Sequence, residues 1–249
     1  MNIVAIIQAR CNSTRLKNKV LADVDGKPLI ERIVSRIKQV EMIDGVVIAT
    51  TTSASDDYLV EWCQHKGVDC FRGSELNVLE RYYECAKFYN ANIVVRITAD
   101  DPFKDPVIIN HAINLLIENN YDYVSNTIKP TFPEGLDVEV YKFKSLEVAF
   151  KNATLSSEKE HVTPYIWKNN NKFSLFNFVY KEDLSDLRWT IDYIEDLEFA
   201  RSVYRKMRNE KEHFLMEDIL CLLDEYPELS NIQKSVVRNE GYIESIKED

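Results

Sequence analysis

The feature that most constrains this chain is the alternation, through its first half, of short apolar runs with longer amphipathic segments. Residues 3–9 read Ile-Val-Ala-Ile-Ile-Gln-Ala, with no alternation of polar and apolar positions. That is the pattern of a strand buried on both faces. Residues 45–51 and 93–98 repeat it, and 68–71 is a shorter version. Between these runs the spacing turns helical. Pro28 suits the first position of a helix to about residue 40, with Leu29, Ile30, Ile33, Ile37 and Val40 on one face. Further helices are predicted over 56–66, with Ser55 or Asp56 as cap, over 78–89, and over 106–119. Strands and helices alternating at these lengths predict an α/β fold, a mainly parallel central sheet with crossover helices on both sides.

The second half changes character. Residues 121–126, 136–141, 173–180 and 187–191 read as strands, and 145–170 as helical in two pieces. Helices are predicted over 195–208 and 217–226, the second stopped by Pro227. No linker rich in Gly, Ser or Pro divides the chain. Residues 1–249 therefore read as one domain, with an inserted lobe at about 127–180 expected to cover the site and mediate dimerisation.

Composition removes several classes. With 45% hydrophobic residues, including 13 Tyr, 11 Phe and 3 Trp, the chain can bury a core and is not expected to be disordered. No apolar run approaches about 18 residues, so no membrane span is expected. The apolar start has no basic stretch before it and no small-residue cleavage site after it, which argues against a signal peptide. A net charge of −10 argues against nucleic acid as partner. Five cysteines without a C-x-x-C, and four histidines without metal-ligand spacing, argue against a disulfide framework or zinc ribbon. The expected location is the reducing cytoplasm.

Ligands of open α/β sheets bind beyond the carboxyl ends of the strands. After the first strand comes Gln8-Ala9-Arg10-Cys11-Asn12-Ser13-Thr14-Arg15-Leu16-Lys17-Asn18-Lys19, the most cationic stretch of an acidic chain. Its arginines, lysines and backbone amides suit a polyphosphate; a solvated basic loop is the alternative. After the fourth strand, Asp100-Asp101-Pro102 places two carboxylates together. Asp101 reads as the cap of the following turn and Asp100 as a metal ligand. Asp192 follows another expected strand, and with Asp100 across the sheet it would share one Mg²⁺; alone it would cap a helix. Asp137 and Glu139 alternate with Leu136, Val138 and Val140, so both face one side of a strand. A solvated strand face is the alternative there.

Seven segments in order resemble one family. They are Ile7-Gln8-Ala9-Arg10 with Ser13-Thr14-Arg15-Leu16, Lys19-Val20-Leu21 and Gly26-Lys27-Pro28-Leu29; Ala49-Thr50-Thr51-Thr52; Phe71-Arg72-Gly73-Ser74-Glu75 with Val78-Leu79 and Arg81-Tyr82-Tyr83; Arg96-Ile97-Thr98-Ala99-Asp100-Asp101-Pro102; Glu134-Gly135-Leu136-Asp137-Val138-Glu139; Glu160-His161-Val162-Thr163-Pro164-Tyr165; and Leu187-Arg188-Trp189-Thr190-Ile191-Asp192 with Glu195-Asp196-Leu197. Together they resemble the cytidylyltransferases that activate acidic sugars, among them the CMP-KDO and CMP-sialate synthetases, and most of all the SpsF-like branch.

The resemblance implies a Rossmann-like nucleotidyltransferase fold of the nucleotide-diphospho-sugar transferase, GT-A-like type. It implies transfer of CMP from CTP to a small anionic acceptor, a sugar acid or phosphate ester, with release of pyrophosphate in surface polysaccharide biosynthesis. Arg10, Ser13, Arg15 and Lys19 would hold the triphosphate, with Gln8, Ala9, Asn12, Thr50, Val78 and Arg96 completing the nucleotide site. Gly73 and Ser74 would lie against the base. Asp100 and Asp192 would hold Mg²⁺, and Arg10, Arg15, Lys19 and Asp100 would carry catalysis. Glu134, Asp137, Glu139, His161 and Arg188 would face the acceptor. A homodimer without membrane partner is implied. The chain departs from the pattern at Asn12, Lys17-Asn18 and Ala99, where the family has Gly, Pro-Gly and Gly; asparagine tolerates left-handed backbone. A metal-dependent glycosyltransferase or a catalytically drifted nucleotide-binding protein are the alternative readings.

Overall fold

Strand β1 (Ile3–Gln8) is apolar at nearly every position because both of its faces are covered. Ile3, Ala5 and Ile7 pack into one core layer, and Val4 and Ile6 into the other. The structure is a computed structural model describing residues 1–13, 15–208, 213–232, 236–247 and 249. After β1 come a small hairpin of β2 (Asp23–Val24) and β3 (Lys27–Pro28), helix α1 (Leu29–Ile37), β4 (Gly45–Thr51), α2 (Asp57–Lys66), β5 (Asp69–Gly73), α3 (Val78–Phe88) and β6 (Ile93–Thr98). Then follow α4 (Pro106–Glu118), β7 (Tyr123–Ser125), β8 (Glu139–Lys142), α5 (Phe143–Asn152), α6 (Ser156–His161), α7 (Pro164–Lys168) and β9 (Leu175–Asn177). The chain continues through α8 (Ile194–Met207), α9 (Met216–Glu225) and α10 (Glu240–Ile246).

The central sheet has the order β5-β4-β1-β6-β8-β7-β9. β5, β4, β1 and β6 are mutually parallel, β8 alone runs against its neighbours, and β9 is again parallel to β7. This is the mainly parallel sheet that the alternation predicts, of the Rossmann-like kind that the resemblance implies. Residues 127–180 supply β8 and β9 to this sheet, while α5–α7 pack with α3 on one side. No described helix is long and apolar enough to cross a membrane.

Local chemistry sets the helix starts. Asn77 caps α3 by accepting from Glu80 N (3.0 Å). Asp105, not Asp101, caps α4, accepting from Val107 N (2.8 Å) ahead of Pro106. The helical stretch predicted over 145–170 forms three pieces because Val162 takes a left-handed φ of 71° and Pro164 opens α7.

The strand predicted over 187–191 does not form. That segment crosses the sheet edge and makes one isolated bridge, Glu134 to Arg188. Trp189 N donates to Glu134 O (2.7 Å) and Ile191 N to Asp100 O (2.8 Å). The approach needs Gly135, at φ +104°, where a Cβ would lie 2.9 Å from the Trp189 carbonyl carbon.

Candidate active site

The carboxyl ends of β1, β4, β5 and β6 and the amino end of the reversed strand β8 lie at one edge of the sheet. Glu139, the first residue of β8, is therefore level with Arg96 on β6. The segment 187–192 runs across this edge and brings Arg188 and Asp192 to residues that lie far away in sequence.

The loop after β1 is held from beneath by Asp56. Its carboxylate accepts from Cys11 N (2.7 Å), Thr50 Oγ1 (2.8 Å), Thr51 N (3.1 Å) and Thr51 Oγ1 (2.6 Å). Burial pushes this carboxyl up, but the donors outweigh it and hold it below the usual range. Asp56 thus anchors the loop instead of capping α2 through its side chain. Thr50 is fully buried, with its hydroxyl on Asp56. Ala9 and Val78 are core residues. Asn18 takes the left-handed conformation (φ 55°), which permits Asn18 N to bond Cys11 O (3.0 Å). Asn12 does not adopt a positive φ. Ser13 N bonds Cys11 O (2.9 Å), and Thr14 lies outside the described residues. Arg10 is exposed and makes no ion pair among the described residues, while Gln8 Oε1 is buried without a hydrogen-bond partner among them. Gly73 is required by Arg81, whose Cγ would lie 3.0 Å from a Cβ there. Arg81, 2% exposed, donates to Ser74 O (2.8 Å) and so fixes the Gly73-Ser74 turn.

Lys19 leaves this loop and points to the strand ends. Its Nζ donates to Asp100 Oδ2 (3.0 Å), Asp192 Oδ1 (2.9 Å) and Ile191 O (2.9 Å). Burial disfavours the ammonium, yet the two carboxylates raise its pKa. Burial likewise pushes Asp100 up, and Lys19 more than offsets it, leaving the carboxyl low. Asp192 also accepts from Arg15 (2.8 Å) and Arg188 (2.9 Å). Two carboxylates meeting at one point are donors that suit Mg²⁺ when water and phosphate oxygens complete the shell. Among the described residues no group of three acidic, His or Cys side chains could hold a metal alone.

Beside this centre lies a cavity of about 380 Å³. Arg15, Arg96, Asp100, Glu134, Asp137, Glu139, His161, Arg188 and Asp192 all line it. Arg96, expected at the nucleotide, lines this cavity and is bonded to Glu139. Glu139 also accepts from Tyr123 Oη (2.7 Å) and Thr163 Oγ1 (2.5 Å). Burial opposes its charge, but Arg96 and these hydroxyls keep its pKa low. Asp137 precedes β8 and bonds Arg238. Burial raises the Glu134 carboxyl, which accepts from Asn239 N (2.9 Å) and faces Arg188 Nε (3.5 Å). Burial, aided by Arg96, pushes the His161 imidazole down to about 4.

Several residues of this edge escape sequence reasoning. Lys104, 1% exposed, pairs with Asp101 (2.8 Å), and burial still lifts the Asp101 carboxyl to about 6. Asp196 accepts from Arg188 (2.5 Å) and from Asp192 N (2.8 Å). The wall from Val236 to Tyr242 carries no motif at all. Only the Asp101–Lys104 spacing and the carboxylate three residues after Tyr193 offered a local signal.

A family model described as cytidylyltransferase matches residues 4–243. An uncharacterized protein of Methanocaldococcus jannaschii is 39% identical over 98% of this chain and 99% of its own length. The spore coat polysaccharide biosynthesis protein SpsF of Bacillus subtilis is 31% identical, covering 91% of this chain and 96% of that protein. A solved cytidylyltransferase from Leptospira borgpetersenii superposes with a TM-score of 0.89 at 31% identity, covering 95% of this chain and 100% of that one.

Proposed function

Since this chain belongs to the cytidylyltransferase family, we propose that it transfers CMP from CTP to a small anionic, hydroxyl-bearing acceptor, a sugar acid or phosphate ester, releasing pyrophosphate. The observation that carries this reading is the meeting of Asp100 and Asp192 on Lys19 at the strand ends, between an arginine-bearing loop and a polar cavity. The acceptor oxygen attacks the α-phosphorus of CTP, forming one P–O bond as the P–O bond to pyrophosphate breaks. The protein's work is positioning and neutralising charge. Arg10, exposed at the loop, takes the outer phosphates, and Arg15 stands where the loop meets the cavity. Lys19 sets the spacing of the two carboxylates. Mg²⁺ held by Asp100 and Asp192 would supply charge neutralisation at the reacting phosphate. The Gly73-Ser74 turn, kept in place by Arg81, supplies backbone groups to the base.

The cavity suits a hydroxylated acceptor. Its cations are bonded to carboxylates of the chain, which leaves carboxylate and hydroxyl oxygens to receive acceptor hydroxyls, while the Mg²⁺ that Asp100 and Asp192 would hold would meet the acceptor's own anionic group. The similarity to SpsF supports a role in surface polysaccharide biosynthesis. We place the enzyme in the cytoplasm, as a homodimer. The test is pyrophosphate release from CTP, ATP, GTP and UTP against a panel of sugar acids and sugar phosphates. Release that requires CTP and one acceptor class supports the reading; turnover of a nucleotide sugar without pyrophosphate would make it a glycosyltransferase.

A further inference from the structure

We infer that residues 236–242 form a displaceable wall of the acceptor cavity, with Glu240 holding on Arg15 the place that a phosphate of bound CTP takes. This rests on the cytidylyltransferase reading. Val236, Asn239, Glu240 and Tyr242 all line the cavity. The segment is fastened almost entirely by polar contacts. Arg238 donates to Phe132 O (3.0 Å) and bonds Asp137. Asn239 N donates to Glu134 Oε1 (2.9 Å). Glu240 Oε2 accepts from Arg15 Nη1 (2.8 Å) and Tyr193 Oη (3.3 Å). The Tyr242 ring meets His161 edge-on at 5.1 Å. Apolar anchoring rests mainly on the Tyr242 ring, which also meets Trp167 edge-on at 5.8 Å; Val237 is 69% exposed, and Ile243 and Ile246 are more than 40% exposed.

The Arg15–Glu240 pair differs from its neighbours. Both of its side chains are 35% exposed, whereas Arg188 and Lys104, at 9% and 1%, are paired in the interior. An anion from solution can exchange with Glu240 at small desolvation cost, and cannot do so with the buried partners. Glu240 and a triphosphate oxygen on the same guanidinium would repel each other. Nucleotide binding to Arg15 therefore expels Glu240. That withdraws the start of α10 and loosens the bond from Asn239 N to Glu134. The wall then moves only after the nucleotide is seated, so CTP binds first and the acceptor second.

Hydrogen exchange on the full chain, with CTP·Mg²⁺ and with CMP as separate probes, tests this together with calorimetry on Glu240→Gln. Saturating CTP should speed amide exchange across 236–247 several-fold. CMP, which lacks the outer phosphates, should leave it unchanged. Glu240→Gln should bind CTP roughly two- to fivefold tighter, because the competing carboxylate is gone. Bound CTP that leaves the segment equally or better protected overturns the inference, as does unchanged or weaker CTP affinity in Glu240→Gln. Equal effects of CTP and CMP would place the displacing anion at the α-phosphate and overturn the assignment to outer phosphates. Absence of CTP binding in both proteins would overturn the cytidylyltransferase reading itself.

Discussion

Lys19 Nζ lies 2.9 Å from Asp192 Oδ1, although 173 positions of sequence separate them. The same nitrogen reaches Asp100, so one buried ammonium joins the first loop to two strand ends. Without it, two carboxylates would face each other across a poorly solvated gap. Lys19→Met should lower the melting temperature by roughly 6–20 °C, corresponding to about 3–5 kcal/mol for breaking a buried ion pair. A calorimetric melt checks this. An unchanged melting point would mean that the carboxylates relax apart without Lys19.

Among the described residues Asp56 makes no ion pair, and it accepts from Cys11, Thr50 and Thr51. Asp56→Ala strands those donors and frees the loop that bears Arg10. It should cost about 2–4 kcal/mol of stability and weaken CTP binding about tenfold or more. Asp56→Asn, which keeps one acceptor oxygen, should lie between. Titration calorimetry with CTP decides; equal affinity in all three proteins would detach the loop's order from nucleotide binding.

The sheet was legible in the sequence because a strand buried on both faces shows as an apolar run, unbroken in β1 and β4 and interrupted by Arg96 in β6. The basic loop and the Asp100–Asp192 pair were legible because their residue types are costly unless they serve a ligand or each other. The geometry between them was not. Arg188 read as a strand residue and Asp192 as the residue just after that strand, yet the segment leaves the sheet, and there the Arg188 guanidinium pairs with Glu134, Asp192 and Asp196. Asp56 read as a helix cap, since nothing local reveals that Thr50 and Thr51 turn toward it. Glu139 looked like an acceptor ligand, and the cation that satisfies it, Arg96, comes from a neighbouring strand 43 positions earlier. The wall from 236 to 242 was invisible because polar contacts without periodicity leave no pattern.

His161 predicts an acid dependence of stability. Its folded value, near 4, lies below the ordinary value near 6.5 of an exposed histidine. Between these values the unfolded chain binds a proton that the folded one does not, so this histidine's contribution is present above about pH 6.5 and lost as pH falls toward 4. Asp101, raised to about 6, acts in the opposite sense, but in both proteins alike. His161→Gln should therefore be less acid-sensitive than the parent, by roughly 2–3 kcal/mol at pH 4 relative to pH 7. Urea unfolding across this range measures it. Parallel pH curves for the two proteins would show that His161 titrates as if exposed.

The most direct test of the central claim is pyrophosphate release from CTP by the parent, Asp100→Asn and Asp192→Asn, with acceptors from the sugar-acid and sugar-phosphate panel and Mg²⁺ varied. The parent should release pyrophosphate only when both CTP and Mg²⁺ are present. Each variant should turn over on the order of 10²-fold more slowly while remaining folded, because each removes charge from the centre that faces the reacting phosphate. Asp192→Asn, which also loosens Arg15 and Arg188, should melt lower than Asp100→Asn. Full activity with unaltered Mg²⁺ dependence in either variant would mean that Asp100 and Asp192 do not hold the metal at the reacting phosphate.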